Sequence, residues 1–281
     1  MGPRGRSALA VAAAGGQAGT GEQHARAWPA VNDPSGPPRG GTPVPGHGHS
    51  LLIGRVAGIP LRVHWTFPLL LVLVVVADWS SGRAVVVAGL LWILALFAFV
   101  VAHELSHCVV ARRRGATVLG ILLIPLGGIS QLAAMPEDPA DELAVAVVGP
   151  LTSLALGVAL LVVGGLAGSR IWPPTLFAGS WWARLAWLNL LLGAFNFLPA
   201  LPMDGGRVLR AALARHRSKL EATLAAGRVA RYLAVTMMVV GFFYDFWLLL
   251  IGIFVYLGAR AEEEAARHPT PDHSGHSPRP S

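Results

Sequence analysis

Between Ala84 and Val110 the chain is almost wholly apolar, yet near the end of that run stands His103-Glu104-Leu105-Ser106-His107. No other feature constrains the fold as much. About 20 consecutive apolar residues in a helix suffice to cross a bilayer. Ionisable groups at membrane depth are costly, so those that persist there serve a function. Composition points the same way. Hydrophobic residues make up 54% of the 281-residue chain and charged residues 13%, whereas a soluble domain carries about a quarter charged residues. These proportions predict an integral membrane protein.

Other apolar runs, judged by the same length requirement, raise the expectation to about six transmembrane helices. They lie near residues 64–76, 84–110, 142–166, 182–198, 229–243 and 246–257. The expected fold class is an all-α polytopic membrane protein. Arginines gather before the first run, at Arg112–Arg114, from Arg207 to Arg231, and at Arg260 and Arg267. Six spans place every one of these groups on one side, which by the positive-inside rule is cytoplasmic together with both termini. The predicted location is the cell membrane, multi-pass. His64 and Trp65 fall where aromatic residues line an interface.

Two stretches break the helical plan. Residues 115–142 mix β-prone runs with Pro125, Gly127 and Gly128, and read as a short membrane-associated β-hairpin or re-entrant loop. Irregular backbone at that depth must rest against protein or a watery cavity. Residues 196–209 hold Pro199, Pro202 and the pair Gly205-Gly206, which end the fourth run. Residues 1–49 and 261–281 are rich in small and polar residues and are expected to be disordered, with a membrane domain at 50–260 between them. Their histidines read as polar linker residues. The net charge of +7 sits beside apolar runs. We read it as topology signal and contact with the lipid bilayer, with no nucleic acid as partner. The single cysteine, Cys108, forms no intrachain disulfide and is expected to pack in the core.

His103 and His107 are four residues apart, which on a helix puts both imidazoles on one face. So arranged, they can bind one zinc ion, with Glu104 placed to take a proton from an activated water. Zinc sites use at least three protein ligands, so one is missing. Asp204 is the best candidate, because the run before it should end on the same side as Arg112. Asp-Gly on its own is a strong turn signal. Beside a two-histidine site lacking a ligand, ligation is the better reading.

The motifs His103–His107 and "NFLPALPMDGGR" (196–207) together resemble the site-2 protease family of intramembrane zinc metalloproteases. "GIPLRVHWTF" (58–67) and "PLGGISQLAAMPEDP" (125–139) are similar to the bacterial branch. The resemblance spans about residues 51–257. It implies one Zn2+ per chain held by His103, His107 and Asp204, with Glu104 as the catalytic base. Asn196 matches the family motif and either orients a ligand or substrate or is a polar residue satisfied within the helix bundle. The family's third helix usually carries G-P-x-x-N; here Ser153 stands in the Asn place. The C-terminal nucleotide-sensing domains of many relatives are expected to be absent.

The expected function is an intramembrane zinc endopeptidase in regulated intramembrane proteolysis, cutting a membrane protein substrate in or near its transmembrane helix. Gly127 and Gly128 are expected to lie where an unwound substrate pairs with an edge strand. The alternatives are a non-catalytic membrane zinc-binding or substrate-holding protein, and a zinc transporter. A transporter needs polar residues along a path, and this chain concentrates them at one site.

Overall fold

The computed structural model describes residues 49–268 except 126, 134–137, 173 and 175–178. The expectations for residues 1–48 and 269–281 lie outside the described residues.

The chain begins with a β-hairpin, β1 (Ser50–Val56) and β2 (Ile59–His64), before its first helix. Ala57 and Gly58 both take positive φ, 50° and 77°, as a two-residue turn matching strand twist requires. Then come α1 (Phe67–Asp78), α2 (Arg83–Arg113), β3 (Val118–Ile124), β4 (Gly127–Leu132), α3 (Pro139–Leu166), α4 (Trp181–Asn196), α5 (Asp204–Ala214), α6 (Lys219–Tyr244) and α7 (Phe246–Arg267). The four strands form one sheet in the order β1-β2-β3-β4. The outer pairs are antiparallel, and β2 runs parallel to β3 through Leu61–Ile121, Arg62–Leu122 and Val63–Leu123.

This sheet corrects the sequence expectation in two ways. The hairpin expected within 115–142 is present but is half of a larger mixed sheet. The first apolar run does not start a helix at His64; that residue ends β2, and α1 begins at Phe67. The physical reason is local. Residues 50–64 alternate apolar and polar side chains only loosely, and strand pairing with β3 supplies what the pattern alone does not.

Among the described residues three helices, α2, α3 and α6, are long and apolar enough to cross a membrane. α1 and α4 have 12 and 16 residues. Those lengths rise about 18 and 24 Å, short of a hydrocarbon core of about 30 Å. α7 has 22 residues, but Arg260, Glu262, Glu263, Glu264 and Arg267 fill its second half. It continues to Arg267, seven residues past the boundary expected at 260.

Capping explains several helix starts. Asp138, Ser180 and Asp245 each accept a backbone N–H from the first turn of α3, α4 and α7. Ser218 and Glu221 form a capping box at the start of α6. α6 and α7 form a tight helical hairpin in which Ala226, Ala230 and Ala234 pack with Val255 and Ala259. Small residues let helix backbones approach where lipid provides no hydrophobic drive. A second core lies between the sheet and α1–α2, built on Ile59, Phe67, Phe97, Cys108, Ile121 and Leu123. Large apolar side chains are exposed along α1, α2, α3, α6 and α7, while His103, His107, Glu142, Ser153, Asn189, Asp204 and Arg210 are buried. That distribution suits a lipid exterior.

Candidate metal centre

The site sits where α2, α3 and α5 meet, with β4 alongside. α2 presents His103 and His107 one turn apart, with ring centroids 4.9 Å apart. Their Nε2 atoms lie 3.2 Å from one another. Oδ2 of Asp204 lies 3.2 Å from Nε2 of His103 and 3.1 Å from Nε2 of His107. A tetrahedral ion bound at about 2.0 Å holds its ligand atoms about 3.3 Å apart. The three donors therefore have the spacing, and the mixed nitrogen–oxygen character, that zinc takes. All three side chains are buried.

The remaining nitrogens of the two rings are held from α3. Nδ1 of His107 donates to the carbonyl of Val145 at 2.6 Å. A carbonyl only accepts, so Nδ1 carries a proton, and in the neutral ring Nε2 keeps a lone pair for a metal. Nδ1 of His103 is 2.9 Å from Oγ of the fully buried Ser153. Ser153 thus lies where it can orient the ring of a candidate ligand. Gly149 makes room for both rings: a Cβ there would stand 2.1 Å from Nε2 of His107 and 2.8 Å from Nε2 of His103. The sequence reading missed Gly149 and Val145. The Gly149-Pro150 pair inside a helix was the available signal, since a glycine within an apolar helix commonly marks a close approach.

Asp204 is not in a turn, as the Asp-Gly pair suggested. It is the first residue of α5. A helix N-terminus favours a carboxylate. Gly205 and Gly206 serve packing: a Cβ on either would lie within 2.5 Å of the backbone around Phe197–Leu198 or Ala200–Leu201. The glycines let the start of α5 press onto the segment after α4, and that contact sets where Asp204 points.

Glu104 turns off the histidine face toward β4. Its Oε2 accepts a hydrogen bond from Ser130 Oγ at 2.6 Å. Gly128 lies against the same side chain, with a would-be Cβ 2.6 Å from Glu104 Cγ. Gly127, at φ 146°, has no atom within 4 Å of its would-be Cβ. Asn196 does not join the cluster in any described contact; its Nδ2 donates to the Leu192 carbonyl one turn back, at 3.0 Å. Cys108 is fully buried in the sheet-facing core. His64 Nδ1 meets Thr66 Oγ1 at 2.8 Å, just before α1.

The sequence pattern of peptidase family M50 matches residues 91–179 and 170–241, a region that contains all three clustered donors and Glu104. Zinc metalloprotease MJ0392 of Methanocaldococcus jannaschii is 38% identical over 216 residues, covering 76% of this chain and 60% of that one. Rip3 of Mycobacterium tuberculosis is 37% identical over 236 residues, covering 75% of this chain and 58% of that one. The chain thus spans about three-fifths of these relatives' length. A solved structure, the site-2 protease from Methanocaldococcus jannaschii, superposes with a TM-score of 0.56 at 34% identity. The match covers 76% of this chain and 95% of that one. With the pattern spanning more than half of the sequence, and an archaeal site-2 protease matched over nearly its whole length, the chain belongs to peptidase family M50, the site-2 protease family.

Proposed function

We propose that this chain is an intramembrane zinc endopeptidase that hydrolyses a peptide bond in or near a transmembrane segment of another membrane protein. The observation that carries the reading is the convergence of His103, His107 and Asp204 from α2 and α5 within 3.2 Å. Glu104 lies one residue along the same helix. In this reading His103 Nε2, His107 Nε2 and Asp204 Oδ2 hold one zinc ion. Bound there, zinc supplies a water acidified to near neutral pH and polarises the scissile carbonyl.

The side chains do the rest. Val145 and Ser153 keep the rings aimed, so the Nε2 atoms stay where a metal needs them. The Glu104 carboxylate takes the proton of the attacking water and passes it to the departing amide nitrogen. β4 is an edge strand, so an unwound substrate segment can pair along Gly127–Leu132 and present an extended amide. His103 precedes Arg112 by nine residues, about 14 Å of helical rise, which supports a site below the arginine-rich edge. We read that edge as cytoplasmic, with residues 50–267 as the protease domain and the shorter helices α1, α4 and α7 as crossings in a locally thinned bilayer. Such a topology fits a role in regulated intramembrane proteolysis.

Cleavage of single-span membrane proteins by wild type and Glu104→Gln, with zinc measured in both, tests the function. The variant should keep one zinc per chain and lose at least a hundredfold in rate. Equal cleavage by both would refute the base role, and zinc bound with no cleavage by wild type would favour a protein that only holds zinc or substrate.

A further inference from the structure

Ser130 touches the mechanism at a point the metal cluster does not explain. Side chains alternate along a strand, so Gly128 and Ser130 share the face of β4 that lies on α2. Gly128 brings the strand in close: a Cβ there would meet Glu104 Cγ at 2.6 Å and Val100 Cγ1 at 3.1 Å. Two residues on, the Ser130 hydroxyl lies 2.6 Å from Glu104 Oε2 and 3.1 Å from the Glu104 backbone carbonyl. One hydroxyl has one proton, and the charged acceptor at the shorter distance takes it. The Cys108 thiol donates to Ser130 Oγ at 3.4 Å, which favours the hydroxyl proton pointing to the carboxylate. Among the described residues this is the one hydrogen bond to the Glu104 carboxylate. It leaves Oε1 free.

We propose that Ser130 is a positioning residue for Glu104: its hydroxyl pins Oε2, so that Oε1 is the atom that receives the proton of the attacking water. The inference rests on Glu104 being the base. It ties that base to the edge strand, so the element that would hold the substrate also holds the carboxylate at a set distance from it. A glutamate without this bond samples several rotamers, and only a fraction of them suit proton transfer.

The test uses full-length protein in phosphatidylcholine–phosphatidylglycerol vesicles. The probe is a tagged reporter with one apolar transmembrane segment, selected because wild type cleaves it. Ser130→Ala should lower kcat about tenfold, as loss of a hydrogen bond to a charged group implies, with KM and zinc content within twofold of wild type. Ser130→Thr, which keeps the hydroxyl, should restore kcat. In a Glu104→Gln background Ser130→Ala should leave the residual rate unchanged, because there is no base left to position. Wild-type kcat in Ser130→Ala, a loss confined to KM, or an equal loss in the Glu104→Gln background each overturns the proposal. If the alanine variant loses zinc, the isosteric pair Ser130→Thr and Ser130→Val makes the same comparison, and equal kcat in that pair overturns it. Wild-type cleavage by Glu104→Gln alone removes the base itself, an outcome distinct from failure at Ser130.

Discussion

Gly149 shows how little room the metal cluster has. It is buried on α3, and the two imidazoles fill the volume its side chain would occupy. Even a methyl group must displace His107 or bend α3, and α3 is anchored at the same place by the Val145 carbonyl bond to that ring. Gly149→Ala should therefore weaken zinc binding by at least tenfold, in line with losses from disturbing groups that orient metal ligands. Competition with a chelator of known affinity measures this directly. An unchanged zinc affinity would mean that the helix shifts without moving the ligands. Ser153 illustrates the same economy of space. Its Oγ lies 2.9 Å from His103 Nδ1, and the residue is fully buried against the ring.

Strand β4 works as an element through its spacing from α2. Gly128 allows contact, Ser130 makes the bond to Glu104, and pairing with β3 sets the register, with Ile129 opposite Leu122 and Ser130 opposite Ile121. A Gly128→Val substitution adds volume against Glu104 and Val100, so it should push the strand outward and break the Ser130 bond. Cleavage should fall by at least tenfold, the scale of a misplaced reacting group, while zinc content stays near one per chain, because Gly128 does not contact the metal cluster in any described contact. Metal analysis alongside the rate measurement separates this from general unfolding, and full activity would show that β4 tolerates the shift. The helical hairpin α6–α7 depends on glycine in a comparable way. A Cβ on Gly241 would lie 2.2 Å from the Leu249 backbone nitrogen, so the two-helix turn closes around that residue.

Across the whole molecule, a buried ion-pair network joins elements far apart in sequence. Arg210 on α5 bonds Glu142 at the start of α3, with Nε and Nη2 at 2.7 and 2.6 Å from Oε1. It also reaches Glu262 near the end of α7 at 3.4 Å. Arg231 on α6 pairs with the buried Glu263 on α7. The Arg210 contacts hold α5, and therefore Asp204 at its first turn, against α3 and α7. Arg210→Ala strands Glu142, which is 2% exposed, so it should cost about 3–5 kcal/mol of stability. Thermal unfolding in detergent should show a clear fall in Tm. Arg210→Lys should recover only part of the loss, since an ammonium cannot make the two-pronged contact. A Tm equal to wild type would show that Glu142 is neutralised or rehydrated at little cost.

Much of this was legible in the residues as written. The apolar runs, the four-residue spacing of His103 and His107, and the glycine–proline break before β4 are all local patterns, and helix and strand periods turn local patterns into faces and hairpins. Membrane character is equally legible, because it is a sum over composition. What the sequence could not carry were relations between distant positions. The joining of two hairpins into one sheet, the start of α5 at Asp204, the clearance at Gly149, the Ser130 bond to Glu104 and the Arg210 network each depend on which surfaces pack together. A glycine's role in particular is set by its neighbours: Gly205 and Gly206 read as a turn in isolation, and only the backbone at Phe197–Leu201 makes them a packing requirement. Spacing along one helix is fixed by backbone geometry, whereas contact across a hundred residues is decided by how the whole chain fills space.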